Sequence, residues 1–133
     1  MKYEVIIVDD DEVVVFIQEK MVTASGFCDK PLCFLKAKDA LEYLSANNDE
    51  GTVYVVLLDI NMPEMSGWEF LDAIAHYPVA KQMAVAVVTS SVNESDRRKS
   101  FNYPGVIAYI EKPLSIDKIH MLKSAKKLIP FFT

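Results

Sequence analysis

Val5-Ile6-Ile7-Val8-Asp9-Asp10-Asp11-Glu12 runs from four apolar residues directly into four acids. A second apolar run, Val53-Tyr54-Val55-Val56-Leu57-Leu58, ends at Asp59, and a third, Val106-Ile107-Ala108-Tyr109-Ile110, is followed closely by Lys112. Runs this apolar suit strands covered on both faces, as in a parallel sheet. The carboxyl ends of such strands are where open α/β sheets gather their chemistry. Acids converging on one edge resist ionising together. A divalent cation removes that conflict, so the pattern points to a small oxygen-ligated metal site with a lysine beside it.

Working outward, short apolar runs alternate with helix-like segments, the signature of βαβ units. Strands are expected over 3–8, 31–35, 53–58, 84–89 and 106–110, and the strand opening at Pro31 suits a sheet edge. Helices are expected over 11–25, 38–46, 66–76, about 94–102, and 115–128. For residues 11–25, Val13-Val14-Val15-Phe16-Ile17 favours strand by propensity. Yet Val14, Ile17, Met21 and Val22 share one helical face, acids precede them and Gly26 supplies a stop. Ala40, Leu41 and Leu44 face inward from the second helix, and Phe70, Leu71 and Ile74 from the third. Ile116, Ile119, Leu122 and Leu128 form the apolar side of the last. Asn47–Gly51 is a polar loop. The fold class expected is therefore α/β, with a five-stranded parallel sheet flanked by five helices.

The chain has 133 residues and a formal charge of −5. That length suits one domain over 1–133 with a core of about 3–128, which needs no disulfide or structural metal. The acidic balance argues against nucleic acid as a direct ligand. Cys28 and Cys33 flank Pro31 without the spacing of a zinc or dithiol site, and read as buried or half-buried free thiols. Met1-Lys2-Tyr3-Glu4 leads straight into a strand with no leader-like segment, and no run approaches a membrane span. These features suit a reducing cytoplasm.

With strand order 2-1-3-4-5, the first and third strands are neighbours at the topological switch point. Adjacent strands lie about 4.8 Å apart, so Asp9 and Asp10 would sit beside Asp59. Carboxylates at that spacing can share one Mg²⁺, a hard ion with oxygen ligands at about 2.1 Å. Thr89 ends the fourth strand. Acids for a metal, a central carboxylate, a hydroxyl and a cation are equipment for phosphoryl transfer onto a carboxylate.

Four stretches then carry a specific resemblance. Val8-Asp9-Asp10, Leu58-Asp59-Ile60-Asn61-Met62-Pro63-Glu64-Met65-Ser66-Gly67, Val88-Thr89-Ser90 and Tyr109-Ile110-Glu111-Lys112-Pro113-Leu114 resemble the receiver domain of two-component response regulators. The likeness runs from about residue 3 to 128. It implies a flavodoxin-like, CheY-like fold acting as a phosphorelay switch rather than a metabolic enzyme, with autocatalytic phosphoryl transfer and slow self-dephosphorylation. By this resemblance Asp59 accepts the phosphoryl group from a histidine kinase or a histidine phosphotransfer protein. Asp10 binds Mg²⁺ directly (Mn²⁺ being a substitute), Asp9 acts through water, and Asn61 offers its backbone carbonyl. Lys112 pairs with the phosphoryl oxygens, Thr89 shifts toward them, and Tyr109 moves inward with it. The Lys112–Pro113 peptide is expected to be cis.

Other residues read more plainly. Asp11 suits a helix N-cap better than a ligand. Tyr109 could also be simple packing. His76 and His120 lack ligand-spaced partners and belong on the surface. Trp68 suits packing, Pro63 and Gly67 suit loop geometry, and Ser90 is small enough to border an entry path. Pro130-Phe131-Phe132 suits a cover for the core. A flavin-binding carrier on the same fold would need donors after the first strand where Asp9-Asp10-Asp11-Glu12 stands. A phosphatase working through an aspartyl phosphate would carry an acid at Asn61. A degenerate receiver used only for docking would lack part of the residue set. No output domain is expected after residue 128, so output would be by contact with an unknown downstream protein.

Overall fold

The computed structural model describes residues 2–47, 49–91 and 93–132. In chain order the elements are β1 (Lys2–Val8), α1 (Glu12–Ala24), β2 (Leu32–Phe34), α2 (Ala37–Ser45), β3 (Thr52–Leu58), α3 (Gly67–Ile74), β4 (Met83–Thr89), α4 (Glu94–Ser100), β5 (Val106–Glu111) and α5 (Ile116–Leu122). The strands pair in parallel in the order β2-β1-β3-β4-β5. Short 3-10 turns at Pro78–Gln82 and Ile129–Phe131 were not foreseen.

Side chains alternate across a strand, and both faces here are covered. Ile6, Val8, Val56 and Leu58 pack with α2 and α3 through Ala40, Leu44, Phe70 and Ile74. Val5, Ile7, Val55 and Leu57 pack with α1 and α5 through Val15, Val22, Ile119 and Leu122. That two-sided burial explains why β1 and β3 are apolar without alternation. Each such side chain, taken fully from water, contributes about 1.5–3 kcal/mol. β2 is the short edge strand that Pro31 implied.

Four expectations are corrected. First, α1 buries Val15, Gln18 and Val22, while Ile17 is 43 % exposed, Phe16 58 % and Val13 66 %. Apolar residues fill five successive positions, 13–17, so periodicity does not select a phase; the short Asp9–Asp11 connection does. Second, α5 ends at Leu122 rather than 128. Leu122 and Leu128 both enter the core, yet six residues at about 100° each leave them on different sides of an α-helix. The chain resolves this by tightening: Ser124 N and Ala125 N bond to Met121 O and Leu122 O. Third, Ile116 is exposed. Fourth, Cys33 is exposed because it lies on the edge strand, whereas Cys28 is half-buried as expected.

Phe131 and Phe132 do cover the core. Their rings lie 4.9 and 5.6 Å from that of Tyr3. Asn48 of the polar loop lies outside the described residues, as does Met1. Among the described residues no helix is long and apolar enough to cross a membrane.

Candidate functional site

The register of β1 and β3 builds the site. Val8 pairs with Leu58, so Asp9 and Asp59 are the next residues on neighbouring strands. Asp59 N still donates to Val8 O at 3.0 Å. Carboxylate oxygens of Asp9, Asp10 and Asp59 all lie within 4.8 Å of one another. Asp9 and Asp59 are buried and Asp10 is exposed. β5 brings Lys112 across: its Nζ lies 2.8 Å from Asp9 Oδ2 and 3.6 Å from Asp59 Oδ2. Lys112 N donates to Thr89 O at 2.8 Å, which ties the β4 end to the same edge. Thr89 is fully buried. The Lys112–Pro113 peptide is cis, as expected.

Electrostatics follow from this crowding. Burial, and then the charge of Asp9, push the Asp59 carboxyl above the usual carboxylate range; Lys112 and the Asn61 amide only partly offset them. Burial pulls the Lys112 ammonium down, but the contact with Asp9 and the charge of Asp59 outweigh it and raise it overall. Lys112 therefore stays a cation. Asp9 Oδ1 accepts from Asp11 N at 3.0 Å. Asp9 Oδ2 lies against the Lys112 ammonium at 2.8 Å. The all-oxygen donor set and the meeting of three carboxylates within 4.8 Å fit a small hard divalent cation.

Local structure holds these groups in place. Asp11 caps α1, accepting from Val13 N at 2.9 Å and Val14 N at 3.3 Å, so it faces its own helix as expected. After β3 the chain turns at Glu64, whose φ of 67° is left-handed. Ser66 then caps α3 in a reciprocal box with Glu69. Gly67 presses on the site: a Cβ there would stand 2.6 Å from Asp59 O and 2.7 Å from Ile60 Cα. The sequence reading placed Gly67 in loop geometry and missed this close approach. The Ser66-Gly67-Trp68-Glu69 spacing, which spells a capping box, was the available signal.

The remaining expected residues are accounted for. Asn61 N points to Asp59 Oδ1 at 3.4 Å. Tyr109 is half-buried and donates to Ser91 O at 3.1 Å. Trp68 packs against Tyr103, with ring centroids 6.1 Å apart. His76, His120 and Ser90 are exposed. A cavity of about 530 Å³ lies away from this site, against Met83 and Gly105. It holds no acidic side chain, so size does not mark the site here.

Known proteins share this fold. The family model of the response regulator receiver domain matches residues 5–123. The chain belongs to that family. Receiver domains are the switch modules of two-component phosphorelay systems. A probable cyclic di-GMP phosphodiesterase of Vibrio cholerae is 39 % identical over 87 residues, 65 % of this chain and 18 % of that protein. The sensor histidine kinase CheAY of Helicobacter pylori is 35 % identical over 91 residues, 66 % of this chain and 11 % of that protein. The chain thus spans a small fraction of both. A response regulator receiver protein from Dyadobacter fermentans superposes with a TM-score of 0.82 at 29 % identity, covering 91 % of this chain and 94 % of the other.

Proposed function

We propose that this receiver domain accepts a phosphoryl group on Asp59 from a histidine kinase or histidine phosphotransfer protein and thereby switches a partner-binding surface. The observation that carries this reading is the meeting of three carboxylates within 4.8 Å beside a lysine that reaches both buried ones. An Asp59 carboxylate oxygen attacks the donor's phosphorus. The P–O bond forms as the P–N bond of phosphohistidine breaks, and the imidazole leaves with the electron pair. Lys112 keeps its proton throughout and balances charge on the phosphoryl oxygens. Asp10, Asp59, the Asn61 carbonyl and, through water, Asp9 would hold Mg²⁺ or Mn²⁺, which when bound supplies positive charge for the phosphoryl oxygens. Thr89 and Tyr109 form the switch pair. Water attacking the aspartyl phosphate resets it slowly.

Asp9-Asp10-Asp11-Glu12 would repel the phosphate of a flavin, and Asn61 stands where a phosphatase of this chemistry needs its second acid. Incubation with acetyl phosphate and Mg²⁺ should add one phosphoryl group by mass spectrometry, and Asp59→Asn should abolish it. Unchanged labelling of that variant overturns the assignment.

A further inference from the structure

The cavity against Met83 and Gly105 lies at the amino end of β4, whereas Thr89 closes the same strand at the acidic edge. The strand's seven residues, at about 3.3 Å each, put the two ends roughly 20 Å apart. At about 530 Å³ the cavity is in the size range of small-molecule sites. Its floor is core. Leu71, Ile74, Met83 and Val85 are at most 4 % exposed and belong to one packed cluster, so the walls are fixed before a ligand arrives. Elsewhere its lining is small: Ala75, Ala80 and Gly105. A Cβ on Gly105 would stand 3.6 Å from Met83 O, an ordinary contact. Crowding does not impose this glycine as it imposes Gly67; the space beside it is open.

The charged groups of the cavity are all cationic. Lys81 and Lys127 line it, and no acid does. Among the described residues no carboxylate oxygen lies within 4.0 Å of either ammonium. Asp72 of α3 is engaged by the Tyr103 hydroxyl at 2.8 Å. Glu50 shares a neighbouring hollow with Lys81 but stays beyond ion-pair distance. Lys127 Nζ donates to Met83 O at 2.6 Å, which leaves the ammonium further donors. Burial pulls this ammonium down, and no acid holds it up. The chain as a whole carries more acids than bases, yet here bases stand alone.

We propose that this cavity binds a small free monocarboxylate with a compact apolar body, such as an aryl or branched alkyl acid. The carboxylate accepts from Lys127 and Lys81, and the body covers Leu71, Ile74 and Met83. Charge complementarity selects the anion: a cationic ligand would meet two ammoniums, and a neutral one would forgo the charge-assisted hydrogen bonds. The apolar floor selects the body, because covering it removes apolar surface from water. A recess of this size suits a free molecule better than the broad contact a protein partner needs.

The test titrates the full chain with 4-phenylbutyrate and follows amide and methyl shifts. Saturable shifts should fall on Met83, Val85 and Gly105, with a dissociation constant of about 1 mM or tighter. The neutral amide of the same acid, and the matching amine, should bind at least about fivefold more weakly. Lys127→Met should weaken the acid about threefold, and Lys127→Arg should bind it nearly as the parent does. Ala75→Phe, which fills the cavity from its exposed rim, should remove the saturable shifts while its melting temperature stays near the parent's. If that variant unfolds, Lys127→Met, at an exposed position, decides the matter. Parent-like binding in Lys127→Met or in a folded Ala75→Phe overturns the site. Equal binding of acid and amide overturns the class of ligand. Shifts confined to the acidic edge, or none that saturate below about 10 mM, overturn the proposal as a whole. A short peptide ending in phenylalanine that binds more tightly than the free acid also overturns it, because the occupant is then the C-terminus of a protein.

Discussion

At the residue scale, two side-chain positions decide how the site behaves. Gly67 is required because the start of α3 lies against the backbone of Asp59 and Ile60. Gly67→Ala should destabilise the chain by about 1–3 kcal/mol, the usual cost of overpacking, and lower its labelling on Asp59. Urea denaturation and labelling at parent-like values would disprove this, since the clash is with backbone rather than a flexible side chain. Asp59 carries a pH prediction. Its folded-state carboxyl is raised, chiefly by burial and then by Asp9. The native state therefore holds this proton longer than the unfolded chain does. Stability contributed here is present below about pH 3.9, the ordinary value, and is lost as pH rises through the folded-state value. In metal-free buffer, Asp59→Asn should therefore be more stable than the parent at pH 7, and the gap should close toward pH 3. Denaturation in EDTA across that range measures it; a gap that widens on acidification contradicts the sign.

At the element scale, α1 is the place where sequence and structure parted. Its start was legible, because Asp11 after a strand and before an apolar run is a capping signal that the backbone uses. Its buried face was not, because apolar residues crowd both sides of the helix. The result is an exposed row, Val13, Phe16 and Ile17, on the helix that follows Asp9 and Asp10 directly. We expect a histidine-phosphorylated protein donor to rest on that row. Phe16→Asp should slow transfer from such a donor about fivefold or more, the effect of removing one aromatic anchor. Labelling by acetyl phosphate should be unchanged, because the variant leaves the carboxylates and Lys112 untouched. A parent-like rate from the protein donor would remove α1 from the docking surface. α5 teaches a related lesson: the spacing of Leu122 and Leu128 allowed a helix by composition, but burying both required the chain to leave helical geometry.

At the scale of the whole molecule, the acids come together only because two strands far apart in sequence are neighbours. A cation bound across them should stabilise the entire fold. At Mg²⁺ tenfold above its dissociation constant the gain is about 1.4 kcal/mol. Thermal denaturation should show that gain in the parent and in Asp11→Asn, which keeps the capping oxygen, and a much smaller one in Asp10→Asn. The reverse order would mean that the acidic run is placed one residue out. Most of this architecture was readable beforehand. Apolar runs covered on both faces, helix caps and acids at strand ends are local patterns, and each follows from the chemistry of adjacent residues. They sufficed for the five strands and for acids, a hydroxyl and a lysine at their carboxyl ends; the order that gathers Asp9, Asp10, Asp59, Thr89 and Lys112 at one edge was a condition taken from the doubly wound fold, and the sheet has that order. What the tertiary structure alone decided was contact between segments with no shared local pattern. The approach of Gly67 to Asp59, the outward turn of Phe16, the exposure of Cys33 and the hydrogen bond from the Tyr109 hydroxyl to Ser91 O each depend on how one element is seated against another. A sequence read for periodicity states which residues seek burial or a partner; seating is set by the simultaneous packing of all the elements.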